Sequence, residues 1–285
     1  MKEIISKNVK HEVLSFIPNI SYSCVPSWYG STMRDLKMDI IAPKQREGHE
    51  KCPLIVWFCG GAFRVVDRSV WLPEMMYFAR EGYIVASVEY STSNETIFPQ
   101  PLIDGKAAIR YLKAHADQFC IDTEKICVMG ESAGGTMACL IGLTAGKQEF
   151  EQGDFLEFDS SVNAVVDFYG LVDLTEEISF VANDDVPPWT LQDYLGVHYT
   201  EAAAIKASAI TYVTETAPPF MILHGEEDTT VPITQSEAFY EKLQEKGVDS
   251  TFYLLKNAGH GDDGFYQNNV LETVNQFLKR VNQQL

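Results

Sequence analysis

The run Lys125-Ile126-Cys127-Val128-Met129 breaks into Gly130-Glu131-Ser132-Ala133-Gly134, followed by Gly135 and Thr136. Four apolar residues, Ile126 to Met129, have the length of a buried strand, and the stretch from Thr136 through Ala138, Leu140 and Leu143 suits a helix. The serine therefore sits on a strand-to-helix turn. In a G-x-S-x-G elbow the serine backbone is held strained, and the flanking glycines leave room where a Cβ would clash. The serine oxygen then projects from the end of the sheet, with a helix N-terminus behind it that favours developing negative charge. That is a nucleophile's position. In a chain with 19 glycines the bare pattern also arises as an ordinary turn, so its weight comes from the strand and helix that frame it.

The rest of the chain repeats the alternation. Residues from about His11 to Tyr22 and from Leu36 to Ala42 alternate as half-buried strands do, with a turn-like Trp28-Tyr29-Gly30-Ser31 between them, and read as an antiparallel hairpin. Pro53 to Cys59 is a continuous apolar run, as expected of a strand covered on both faces, and ends in Gly60-Gly61-Ala62-Phe63. Helical spacing over Trp71–Arg80 stops at Gly82, and Tyr83–Tyr90 is the next strand. Beyond Pro99 and Pro101, Leu102 to Phe119 forms an amphipathic helix with Ala108, Ile109, Leu112 and Ala116 on one face. Further strands are expected over Asn163–Tyr169, Pro219–His224 and Ser250–Leu255, with helices over Ser236–Lys246 and Phe265–Val281. Strands alternating with helices imply an α/β fold: a mostly parallel sheet of about eight strands with helices on both faces. With 285 residues and 46% hydrophobic content, the expected organisation is one domain over 1–285. Between about 171 and 212 the rhythm is lost, and Asp184-Asp185, Pro187-Pro188 and Trp189 mark a cap-like insertion over the end of the sheet.

A serine nucleophile needs a base within hydrogen-bond reach and an acid to fix the base's tautomer. In open α/β sheets such groups gather beyond the carboxyl ends of strands. Two strand ends supply them, His224-Gly225-Glu226-Glu227-Asp228 and Asn257-Ala258-Gly259-His260. The order Ser132, Asp228, His260 is that of the α/β-hydrolases and of neither chymotrypsin nor subtilisin. Glu227 is a rival acid next door, and Asp228 has the alternative work of turning the loop before Val231-Pro232. The short, rigid reach of aspartate favours Asp228. Among the histidines, His11, His49, His115 and His198 fall where solvated or structural histidines are usual. His224, at a strand end, is the serious competitor to His260 and is expected to brace the acid loop. The tetrahedral intermediate needs amide donors. One is expected from Ala133, after the nucleophile, and the other from Gly61 and Ala62, in a glycine turn that alone would equally well just close a strand.

Composition narrows the partners. A net charge of −18 and a sequence pI near 4.7 repel nucleic acid and anionic membrane surfaces. Met1 to Lys10 lacks the apolar core of a signal peptide, and no run reaches transmembrane length, so a cytoplasmic location is expected. The six cysteines, Cys24, Cys52, Cys59, Cys120, Cys127 and Cys139, show no metal-ligand spacing and read as reduced, small hydrophobes. Three disulfides in a secreted enzyme are the rival reading. No cofactor or metal is called for, and the sequence does not set the oligomeric state.

With these residues in view, the chain resembles serine esterases of the α/β-hydrolase fold, in the hormone-sensitive-lipase-like and bacterial BD-FAE (feruloyl/acetylxylan esterase-like) neighbourhood. The resemblance rests on Cys59-Gly60-Gly61-Ala62-Phe63, Gly130 to Gly135, Phe168-Tyr169-Gly170, His224 to Asp228 with Thr229-Thr230-Val231-Pro232, and Ala258-Gly259-His260-Gly261. Phe98-Pro99, Asp104 and Ile121-Asp122 match more weakly. The resemblance implies a small-molecule ester substrate with a short acyl group, such as acetyl, and a sugar or phenolic alcohol. It departs at Cys59, where the family carries a histidine that helps to hold the oxyanion loop. The acyl and alcohol pockets are expected from the insertion and the loop after Phe63, lined by Phe63, Tyr169, Trp189 and Tyr194, unless these aromatics form a small core of their own. An amidase or peptidase, formamidase-like chemistry included, would share the same three residues. A catalytically silent binding protein would usually lack one of them.

Overall fold

The computed structural model describes residues 3–4, 13–27, 30–44, 50–176, 179–180 and 188–284. His11, His49, the Trp28-Tyr29 half of the hairpin turn, and Asp184, Asp185 and Pro187 lie outside them. The described strands are β1 (Leu14–Ser27), β2 (Thr32–Pro43), β3 (Cys52–Phe58), β4 (Ile84–Val88), β5 (Ile121–Glu131), β6 (Ala164–Phe168), β7 (Ser179–Phe180), β8 (Trp189–Thr190), β9 (Phe220–Gly225) and β10 (Ser250–Leu255). Eight of them form one sheet in the order β1-β2-β4-β3-β5-β6-β9-β10, while β7 and β8 pair separately. The opening hairpin is antiparallel, and β2 also runs antiparallel to β4. From β4 to β10 every pairing is parallel.

The continuous apolar strands arise because both sheet faces are covered. Side chains alternate across a strand. Leu54, Val56 and Phe58 of β3 join one core with α2 (Gln100–Ala114), α4 (Ala133–Leu143) and α7 (Ile233–Glu245). Ile55 and Trp57 face the other, with α1 (Leu72–Arg80) and α8 (Asn268–Gln284). Among the described residues no helix is long and apolar enough to cross a membrane.

Helix boundaries differ from the sequence reading, and α7 begins at Ile233 where Ser236 is expected. The helix expected over Leu102–Phe119 begins at Gln100, with a proline in its first turn, and breaks at His115 before the short α3 (Ala116–Phe119). There the His115 ring donates to the Tyr111 carbonyl at 2.8 Å, and such local bonds compete with helix propagation. The closing helix starts at Asn268 because Asp263–Tyr266 forms a separate 3-10 turn, capped by the Asp262 side chain. Residues 171–212 hold the β7/β8 pair, α5 (Leu191–Leu195), α6 (Glu201–Ala207) and a 3-10 turn over Ala209–Tyr212. Gln235 Oε1 accepts the amides of Val172 and Asp173 (2.9 and 2.8 Å), and Thr136 Oγ1 accepts that of Leu171 (3.0 Å), so the start of this segment is fastened to α7 and α4.

The strand-to-helix turn falls where the sequence puts it. Ser132, between β5 and α4, has φ 53° and ψ −121°, a strained backbone for a non-glycine residue. A Cβ on Gly130 would run into the Gly134 carbonyl, and one on Gly134 into the Phe58 carbonyl. The glycines thus let α4 start hard against β3. Because the obstruction is backbone, Gly134→Ala should force β3 and α4 apart and lose about 1–3 kcal/mol of stability, measured by urea unfolding.

Candidate active site

Three sequence-predicted residues meet at the carboxyl ends of β5, β9 and β10. His260 Nδ1 lies 2.7 Å from Asp228 Oδ2, and His260 Nε2 lies 2.9 Å from Ser132 Oγ. A carboxylate can only accept, so Nδ1 carries the proton and the lone pair of Nε2 faces the serine hydroxyl. Asp228 Oδ1 accepts the amides of Thr230 (2.8 Å) and Val231 (2.9 Å), which fix its plane. Burial alone would raise the Asp228 pKa. Hydrogen bonds from His224, His260 and the Val231 amide outweigh it and hold the carboxyl well below the usual range. Glu227, the rival acid, is exposed, and its amide is bonded to the Ala258 carbonyl.

His224 is fully buried and occupied at both nitrogens, Nδ1 against Ser236 Oγ (2.7 Å) and Nε2 against the Val231 carbonyl (3.0 Å). The carbonyl requires Nε2 to donate, so Nδ1 accepts from the hydroxyl. It braces the acid loop, as the sequence suggests. His115 is engaged in its helix and His198 is exposed.

The glycine turn after β3 is tightly specified. Gly61 has φ 129°, and Ala62 (55°) and Phe63 (58°) follow in the left-handed region. Two such non-glycine residues in succession persist only where the surroundings impose them. The Gly61 carbonyl accepts the amides of Arg64 and Val65 (2.9 and 3.2 Å), and the Phe63 carbonyl accepts that of Ser93 (2.7 Å). Tyr90 donates its hydroxyl to the Cys59 carbonyl (2.9 Å), and the Gly60 amide donates to Glu131 Oε1. The Arg64 guanidinium grips the Asp193 carboxylate at 3.0 Å. Among the described residues neither the Gly61 nor the Ala62 amide is bonded to a backbone carbonyl, and the Ala133 amide stands in the first turn of α4. Cys59 is buried, and burial beside Glu131 pushes its thiol up to about 12, so it stays neutral.

The BD-FAE family model matches residues 38–243. The chain belongs to the BD-FAE family. Esterase LipQ of Mycobacterium tuberculosis is 30% identical over 239 residues, 82% of this chain and 56% of its own length. The chain spans about half the length of the curated relatives it matches. Among solved structures, a bifunctional GH43-CE protein of Bacteroides eggerthii is similar at TM-score 0.75 and 26% identity, covering 93% of this chain and 35% of that one. Esterase 2 of Thermogutta terrifontis, solved phosphoramylated by tabun, also has TM-score 0.75, with 24% identity and coverage of 92% and 94%. The fold is that of the α/β-hydrolases.

In this BD-FAE chain the aromatics expected to line the acyl and alcohol pockets are buried. Phe63, Tyr169, Trp189 and Tyr194 are each 1% exposed or less. Phe63 stacks on Tyr194 at 3.8 Å between ring centroids, and Phe98 meets Tyr194 edge-on at 5.6 Å. Tyr169 lies beside the site, its ring 4.8 Å from that of His260. Burying these large rings is worth more to the chain than leaving them at a solvent face. Sequence reasoning missed Glu131, Tyr90, Arg64 and Asp193. Of these, Glu131 carried a signal, since an acid closing an apolar strand needs a buried partner; the others are joined across tens of residues and leave no local trace.

The depressed Asp228 pKa sets a pH dependence. An aspartate titrating lower when folded than unfolded stabilises the fold fully above its unfolded pKa of about 4, and loses that contribution as pH falls further. In urea unfolding, the stability gap between the wild type and Asp228→Asn should therefore narrow as the pH is lowered below about 4.

Proposed function

We propose that the chain is a serine carboxylesterase acting on short-chain acyl esters, acetyl foremost, of carbohydrate or phenolic alcohols. The observation that carries this reading is His260 standing between Ser132 and Asp228 in the tautomer a general base requires. The 30% identity to a curated esterase supports it. In this mechanism Ser132 Oγ attacks the ester carbonyl while its proton passes to His260 Nε2. The amides of Ala133 and of Gly61 or Ala62 take the developing oxyanion. His260 then returns the proton to the alcohol oxygen as the C–O bond breaks, and water repeats the sequence on the acyl-enzyme. Asp228 orients the imidazole and stabilises its protonated form.

Segment 171–212 acts as the cap in this reading. The stack of Phe63 on Tyr194, two residues from Gly61, fills space that a long acyl chain would need, which favours small acyl groups. Ser132→Ala should abolish turnover of p-nitrophenyl acetate, and a series of p-nitrophenyl esters on the wild type should show kcat/KM falling from acetate to octanoate. Near-normal turnover by Ser132→Ala sinks the proposal. A matched acetanilide cleaved faster than the ester would move the activity to amides.

A further inference from the structure

Glu131 is the unassigned residue of the elbow, between Gly130 and Ser132, and its carboxylate is buried against the glycine turn. Its Oε1 accepts the Gly60 amide, so an acid covalently joined to the nucleophile also grips the residue preceding Gly61. The Tyr169 side chain is buried as well. Its hydroxyl meets Tyr266 Oη at 3.0 Å, and the Tyr169 ring packs on His260. A Cβ on Gly60 would come within 2.5 Å of Glu131 Oε1, so the glycine is what permits the approach. Cys59, immediately before the turn, offers only a neutral thiol.

Resting on the esterase reading above, we infer that Glu131 is a positioning residue that ties the oxyanion turn directly to the nucleophile through the Gly60 amide. The turn's other anchors come from separate segments, Tyr90, Ser93 and Asp193. The bond from Glu131 spans the two halves of the reactive centre without an intermediary. It fixes where the Gly61 and Ala62 amides stand relative to Ser132 Oγ, so its loss should be felt in the transition state, where the oxyanion exists, and not in substrate binding.

The test compares Ser132→Ala, Glu131→Ala, Glu131→Gln, Gly60→Ala and the Gly60→Ala/Glu131→Ala double variant. The readouts are kcat and KM for p-nitrophenyl acetate and Ki for an alkyl trifluoromethyl ketone, whose hemiketal mimics the tetrahedral oxyanion. Glu131→Ala should lower kcat by about 10- to 100-fold with KM within about 3-fold, and raise the ketone Ki by the same factor as kcat/KM falls. Glu131→Gln, whose amide oxygen still accepts from Gly60, should recover to within about 5-fold of the wild type. Gly60→Ala, which displaces the carboxylate, should match Glu131→Ala, and the double variant should lose no more than either alone. The inference is overturned if Glu131→Ala, or Gly60→Ala should the former not fold, keeps kcat within about 2-fold. Losses in KM with an unchanged ketone Ki, or additive losses in the double variant, overturn it equally. Ser132→Ala separates the two levels: if it keeps turnover the esterase reading fails, and if it is inactive the Glu131 result stands by itself.

Discussion

The site depends on the contact between the end of β3 and the start of α4. Phe58 pairs with Gly130 in the ladder between β3 and β5, and Gly134 lies against the Phe58 carbonyl. Both the glycine turn and the strained Ser132 leave the sheet from this one point. Their separation is therefore set by strand register and not by loop flexibility. A slip of one residue would turn every side chain of β3 to the opposite face, and the two buried cores forbid it. Ser132 and the Gly61 and Ala62 amides are thus placed by paired strands, and on the proposed esterase mechanism that is the placement reacting groups require.

Electrostatics reinforces this frame at a distance. The chain carries an excess of acid, yet Lys106 and Arg110 on α2 are fully buried and share Glu151, at 2.9 and 2.6 Å. Lys106 also donates to the Thr144 carbonyl (2.5 Å) and Arg110 to that of Asp154 (3.0 Å). Burying cations costs solvation unless each donor finds a partner. Here the partners come from the loop after α4, which is thereby pinned onto α2, behind the helix that carries Ser132.

Much of this was legible in the sequence because it depends on local pattern. The apolar runs gave the parallel strands, the glycines around Ser132 the elbow, and the loops after β9 and β10 the acid and the imidazole. Boundaries failed where a side chain intervened, as at His115, whose ring takes a backbone carbonyl. Burial of charge was invisible: Lys106 and Arg110 occupy positions an amphipathic helix would turn to water, and only the covering loop makes them interior. The aromatics around Phe63 and Tyr194 were recognised as a group, but one sequence does not tell whether rings meet each other or an open cavity. Glu131 was visible as a letter in the motif. Its grip on Gly60 joins residues 71 positions apart, and no periodicity reports such a pair.

The ion pair between Arg64 and Asp193 has a consequence for how such a molecule can change. Asp193 also accepts the Thr190 amide at 2.9 Å and completes the capping box that starts α5. One carboxylate thus begins a helix of the 171–212 segment and clamps the turn after β3. A substitution that reshapes this segment to admit a different molecule moves the turn with it. If the segment selects the substrate and the turn serves the oxyanion, as proposed, selectivity and rate share a part here, and descendants of this sequence are constrained to alter the two together or to sever that clamp first.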